Sequence, residues 1–182
     1  MPASPRILIL QAHTTPQRSR IHRHLARAAS GLPQVRTHDL YANYPDFDID
    51  AASERGLLTT TDLLVLQHPI QWYGAPALLK EWFDVVLTEG WVHGPDGRAL
   101  QGKDCWLVAW ASGMHDAGQE DTRQIADIFV PPIQHMAQLC GLRWLPPLIL
   151  SGDHHIDDMM LDTQTALYKE RLHNYPHWPE AT

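Results

Sequence analysis

Gln67-His68-Pro69-Ile70-Gln71-Trp72-Tyr73-Gly74-Ala75-Pro76-Ala77-Leu78-Leu79-Lys80-Glu81-Trp82-Phe83-Asp84 is the stretch around which the whole chain can be read. Just before it, Asp62-Leu63-Leu64-Val65-Leu66 is short and apolar on both faces, the pattern of a buried parallel strand. Just after it, Leu78, Leu79, Trp82, Phe83 and Val86 recur at helical spacing and give one apolar face. The loop between is rich in Pro, Trp, Tyr and Gly and sits at the carboxyl end of the strand. Open α/β sheets bind their ligands in the crevice outside those ends. Gln71, Trp72 and Tyr73 offer an amide and two aromatic planes to something flat.

The same strand–loop–helix unit recurs on either side. Arg6-Ile7-Leu8-Ile9-Leu10 reads as a first strand, and Ile21, Leu25 and Ala28 or Ala29 mark a helix that stops near Gly31. A second strand falls at Val35–His38, with a helix over 51–59 after a covering loop. Cys105–Trp110 is the fourth strand, and the fifth begins within 141–150. Pro131-Pro132 predicts a break after a helix over 120–129 and a fresh helix over 131–140. The loop and short helix before that break would suit a lid. Asp157 or Asp158 caps a last helix, and the tail from 174 to 182 reads as loose. Together these units predict one α/β domain, a doubly wound five-stranded parallel sheet ordered 2-1-3-4-5. Three loops then converge on one pocket: 11–19, 67–74 and 111–118.

Gln11-Ala12-His13-Thr14-Thr15-Pro16-Gln17-Arg18-Ser19 joins a strand to a helix amino terminus, with Ser19 as N-cap. Outward amides and the helix dipole favour an anion there. Neither GxxxxGK[ST] nor GxGxxG is present, so a single phosphate in a Ser/Thr-lined loop is the reading, beside that of a capped helix with no ligand.

Composition narrows the classes. A chain of 182 residues, 44% apolar and 19% charged, can bury a full core without staples. A net charge of −7 with no basic run argues against a nucleic-acid surface. Cys105 and Cys140 lie in apolar runs without metal or CxxC spacing, as in a reduced cytoplasmic protein. The apolar core of MPASPRILILQAH is too short for a signal segment or a membrane span.

Other chemistries fit less well. Ser151-Gly152-Asp153-His154-His155-Ile156-Asp157-Asp158 crowds imidazoles and carboxylates, but adjacent histidines point apart and no HExxH accompanies them, so a polar loop with a helix cap is the expectation and metal is not. Asp46, Asp48 and Asp50 lack the glycine and terminal glutamate of a calcium loop. Ser112 has no GxSxG frame. His22 and His24 share a helix but not a face.

HPIQWYGAPALLKEWFD resembles the flavin-binding loop of the flavodoxin-like NAD(P)H:quinone oxidoreductases, and within them the ancillary flavoproteins of glutathione-regulated potassium-efflux systems (the KefF and KefG type). LYANYPDFDID, the Gly-rich connection from Gly90-Trp91 to Gly102-Lys103, and CGLRWLPP resemble the same family, so the likeness runs through nearly the whole chain. It implies FMN, with FAD as an alternative, and NAD(P)H as reductant of a quinone-like acceptor. His13, Ser19, Arg20, Ile21 and His22 would then lie on the phosphate side, although the family has an amide side chain where His22 stands. Ile70, Gln71, Trp72 and Tyr73 would lie on the flavin-ring loop. Ala111, Ser112, Gly113 and Met114 would form the second ring loop, with Ala111 and Met114 replacing a Thr and a Gly. Tyr73 and His115 are the candidate proton donors by position. The resemblance further implies a homodimer and, as another class of function, a cytoplasmic regulatory subunit docked on a potassium/proton antiporter.

Overall fold

The computed structural model describes residues 5–111, 119–152 and 156–178. Five strands, β1 (Ile7–Gln11), β2 (Val35–Asp39), β3 (Leu63–Ile70), β4 (Asp104–Ala111) and β5 (Arg143–Ser151), form one parallel sheet ordered β2-β1-β3-β4-β5. This is the predicted doubly wound topology. The helices are α1 (Arg20–Ala29), a single turn α2 (Leu40–Asn43), α3 (Ala51–Thr59), α4 (Ala77–Val86), α5 (Gln119–Leu139) and α6 (Asp158–Asn174).

The two faces of the sheet follow from strand alternation. Leu8, Leu10, Leu64, Leu66, Cys105, Leu107 and Ala109 point to one side and pack under Leu58 of α3, Trp82 of α4 and Phe129 of α5. Ile7, Ile9, Val65, Trp106, Val108 and Trp110 point to the other and pack under Leu25 of α1 and Tyr168 of α6. Every residue of β3 and β4 is buried, which is why these strands are apolar without alternation.

β3 is longer than the sequence suggested. Its register pairs Gln11 of β1 with Gln67, so His68, Pro69 and Ile70 run on past the end of β1 while still pairing with β4 as far as Ala111. A proline is tolerated there because that part of β3 has a strand neighbour on one side only.

The expected break at Pro131-Pro132 is absent. Both prolines lie inside the continuous helix α5. Their missing amides deprive the carbonyls of Asp127 and Ile128, but both residues are exposed, so water can take the place of the lost partners. His135 Nδ1 lies 2.7 Å from the Pro131 carbonyl. The separate short helix expected as a lid is therefore the first part of one long helix.

Part of the tail is also fastened. Tyr175 is buried and donates to Oδ2 of Asp104 at 2.9 Å, and the Trp178 indole packs edge-on against Trp106 and donates to the Arg171 carbonyl. Asp157 caps α6 by accepting from the Met159 amide at 2.8 Å, as the helix-cap reading of that segment expected, while Asp153, His154 and His155 lie outside the described residues. Asp50 likewise caps α3, accepting from the amides of Ala52 and Ser53. Among the described residues no helix is long and apolar enough to cross a membrane.

Candidate functional site

β1 and β3 are neighbours in the sheet, yet their following helices, α1 and α4, lie on opposite faces. That is the topological switch point, and the diverging connections leave a crevice outside the strand ends. The overhang of β3 gives the crevice a wall. β1 and β2 stop level with Gln67, and β3 continues to Ile70 beside Ala111 of β4.

On one side of the crevice the chain passes through a short 3-10 turn (Pro16–Arg18) into α1. Ser19 caps α1: its Oγ accepts from the His22 amide at 3.0 Å. The dipole of the helix thus points its positive end at the loop. The side chains of the residues expected here are placed differently from one another. Ile21 is in the core, so only its backbone can serve a ligand. Arg20 turns toward α6, donating to the Ile156 carbonyl at 3.1 Å and pairing with Asp158. His13 stacks on Trp110 with ring centroids 5.8 Å apart, and His22 meets His13 edge-on at 5.6 Å. The Thr15 amide donates to Nδ1 of His13, which leaves Nε2 as the protonated nitrogen of the neutral ring.

On the other side lies a two-residue hairpin. Gln71 and Gly74 exchange both backbone hydrogen bonds at 2.9 Å, and the residues between them, Trp72 and Tyr73, have φ of 48° and 61°. Turns with positive φ at both central positions ordinarily use Asn-Gly or Gly-Gly. An L residue held there costs about 1–2 kcal/mol. Trp72 is 97% exposed and Tyr73 63%, so packing among the described residues repays little of that cost. Strain of this kind concentrates at ligand sites. Ile70 and Ala111, the next pair inward, close the floor. Ser112, Gly113, Met114 and His115 lie outside the described residues.

Beneath the crevice sits a set of buried polar groups that the sequence reading passed over. Gln67 accepts from the Tyr168 hydroxyl at 2.6 Å, and burial pushes that hydroxyl well above the ordinary tyrosine range. Gln11 Nε2, Gln67 Nε2 and Trp110 Nε1 are buried donors with no partner among the described residues. An acceptor-rich ligand suits such a floor, because an unpaired buried donor is costly. The signal was present in the sequence: a glutamine ends each of the apolar runs ILILQ and LLVLQ.

Other groups are set aside by burial. Desolvation pushes the Cys140 thiol up to about 11 and Cys105 higher still, so neither is a thiolate near neutrality. Trp91 lies under the Arg55 guanidinium, 5.1 Å from its ring centre. A recess of about 470 Å³ is lined by Arg6, Gln34, Arg36, Leu57 and Thr60 at the amino ends of β1 and β2. It lies at the wrong end of the sheet for ligand binding in this architecture.

The comparisons agree with this fold. The family model for the flavodoxin-like fold matches residues 5–172, and the chain belongs to that family. The glutathione-regulated potassium-efflux system ancillary protein KefF of Salmonella schwarzengrund is 40% identical over 166 residues, 91% of this chain and 94% of that protein. General stress protein 14 of Treponema denticola, solved in complex with FMN, is similar with a TM-score of 0.81 and 31% identity over 92% of this chain and 98% of that one. An NADPH-quinone reductase from P. pentosaceus has a TM-score of 0.78 and 26% identity over 91% and 96%.

Proposed function

We propose that this protein is an FMN-dependent NAD(P)H:quinone oxidoreductase. The observation that carries the reading is the strained Trp72-Tyr73 turn standing over the switch-point crevice. FMN bound there would supply the hydride chemistry between a nicotinamide and a quinone, one after the other in the same place. The rest is what the chain contributes. The amino terminus of α1, capped by Ser19, holds the phosphate through its dipole and first-turn amides. The turn 71–74 presents aromatic surface and backbone amides to the ring edge, and the open side of the crevice admits the substrates. Gln11 and Trp110 offer hydrogen-bond donors from below. Tyr73, half out in solvent, is the candidate to hold or deliver a proton, and His115 is the second candidate for that role.

The fit to FMN rather than to a dinucleotide rests on the absence of a glycine-rich phosphate loop and on the Ser19-capped end of α1 beside the crevice. The likeness to a protein solved with FMN and to an NADPH-quinone reductase supports it. Titration of the protein with FMN and with riboflavin, followed by flavin fluorescence, tests the placement. FMN should bind at least about tenfold tighter than riboflavin, given charge-assisted hydrogen bonds to the phosphate. Equal affinities would remove the α1 terminus from the site.

A second reading is favoured by the 40% identity to KefF: a regulatory subunit docked on the cytoplasmic side of a potassium/proton antiporter. A homodimer with the flavin near the subunit interface belongs to the reductase reading. Co-purification with an antiporter, and the mass of the free protein by light scattering, test these two points.

A further inference from the structure

We propose that the groove between α4 and α5 holds the apolar tail of a lipophilic quinone whose ring is reduced in the adjoining crevice, a proposal that rests on the reductase reading above. The groove has a volume of about 350 Å³, within the range of about 300–1,000 Å³ found for small-molecule sites. Phe83 of α4 and Leu87, just past its end, face Phe129, Ile133 and Met136 of α5 across it. Tyr73 and Gly74 line it too, so the strained turn is a wall shared by the groove and the crevice. A molecule with its ring beside Tyr73 reaches the groove with its substituents.

The charges on the groove select against an ionic ligand. Lys80 and Asp84, one turn apart on α4, pair with each other and cancel. The other titratable groups along it are Tyr73, His93 and the Cys140 thiol, which burial keeps protonated. A carboxylate or phosphate on a substrate tail would meet apolar walls. An uncharged hydrocarbon chain would displace water from them, and Leu139, 66% exposed at the outer part of the groove, extends that surface.

The test compares the tailless ubiquinone ring with decylubiquinone. For the FMN-loaded protein, kcat/KM with NAD(P)H is measured for both, and their dissociation constants are measured by calorimetry without nicotinamide. The decyl compound should be favoured at least about tenfold in both measurements, since each buried methylene contributes several-fold. Met136→Asp should remove most of that preference while leaving the tailless ring within about twofold. Leu139→Asp, at an exposed position where a charge does not threaten folding, should act in the same direction more weakly.

Equal binding of the two quinones overturns the proposal, as does a variant that weakens both alike. If light scattering finds a dimer that Leu139→Asp splits with no change in tail preference, the groove is the cover for a second copy of the chain and the proposal fails. If no quinone is reduced but tail-dependent binding persists and responds to Met136→Asp, the groove stands and the reductase reading falls.

Discussion

Trp82 donates its indole N–H to Oε2 of Glu54 at 2.8 Å inside the core, and neither side chain is more than 1% exposed. The other carboxylate oxygen accepts from His38 Nε2 at 2.8 Å and from the Tyr44 hydroxyl at 2.6 Å. Burial alone would raise the Glu54 carboxyl, but the three donors outweigh it and hold the group below its ordinary value. The carboxylate therefore ties β2, the segment after α2, α3 and α4 together, and α4 begins where the 71–76 loop ends.

Removal of that carboxylate should be costly. Glu54→Ala leaves the buried Trp82 indole N–H and the half-buried His38 and Tyr44 donors without an acceptor, which predicts a loss of roughly 3–5 kcal/mol. For a chain of this size that lowers Tm by roughly 10 °C in a thermal melt followed by circular dichroism. Glu54→Gln, which keeps one acceptor oxygen, should lose less.

His68 gives the fold a pH dependence. It is fully buried on β3, edge-on to Phe129, and desolvation lowers its pKa from 6.5 to about 4, against a smaller opposing effect of the Pro69 carbonyl. The unfolded chain therefore takes up a proton between these two values that the folded chain does not. Stability contributed by the neutral ring is full above pH 6.5 and is lost as pH falls toward 4. The loss approaches roughly 3 kcal/mol. Urea unfolding at a series of pH values should follow that slope, and His68→Leu should flatten it. An unchanged slope in the variant would assign the dependence to other groups.

The turn should exchange stability for function. Trp72 is almost wholly exposed with φ of 48°, so Trp72→Gly removes strain and little burial. The apo protein should gain up to about 1 kcal/mol in denaturant unfolding. FMN affinity should fall in the same variant, because an aromatic wall of the crevice is gone. A variant that is more stable and binds FMN equally well would take the aromatic side chain out of the site.

Ser19→Asp separates helix capping from anion binding. Aspartate caps a helix as well as serine does, so α1 and the fold should persist. The added negative charge should repel the flavin phosphate and lower FMN occupancy of the purified protein, read as the ratio of flavin to protein absorbance. Unchanged occupancy would contradict the placement of the phosphate beside α1.

The topology was legible because local signals agree with the global arrangement: apolar runs for β1, β3 and β4, a 3.6-residue apolar period in α1 and α4, and Ser19 and Asp157 at helix starts. The extent of β3 was not, because Pro69 reads locally as a strand end and only its position past the end of β1 makes it acceptable. The continuity of α5 was missed for a similar reason: solvent at Asp127 and Ile128 is a tertiary fact, whereas Pro131-Pro132 is a local one. Within the site, the 71–74 loop was found from its composition, but its left-handed geometry is a property of the Gln71–Gly74 bonds. The pairing of Arg20 with Asp158 joins residues far apart in the chain, and nothing near Arg20 in the sequence announces it.

The most direct measurement is an anaerobic absorbance experiment on the protein reconstituted with FMN. On addition of NADPH or NADH the flavin bands should bleach within the mixing and turnover time, and on addition of a quinone they should return, with one quinone consumed per nicotinamide oxidised. Flavin that binds but stays oxidised with both nicotinamides, or a protein that takes up no FMN at all, would contradict the reductase function and leave the antiporter-subunit reading as the one to pursue.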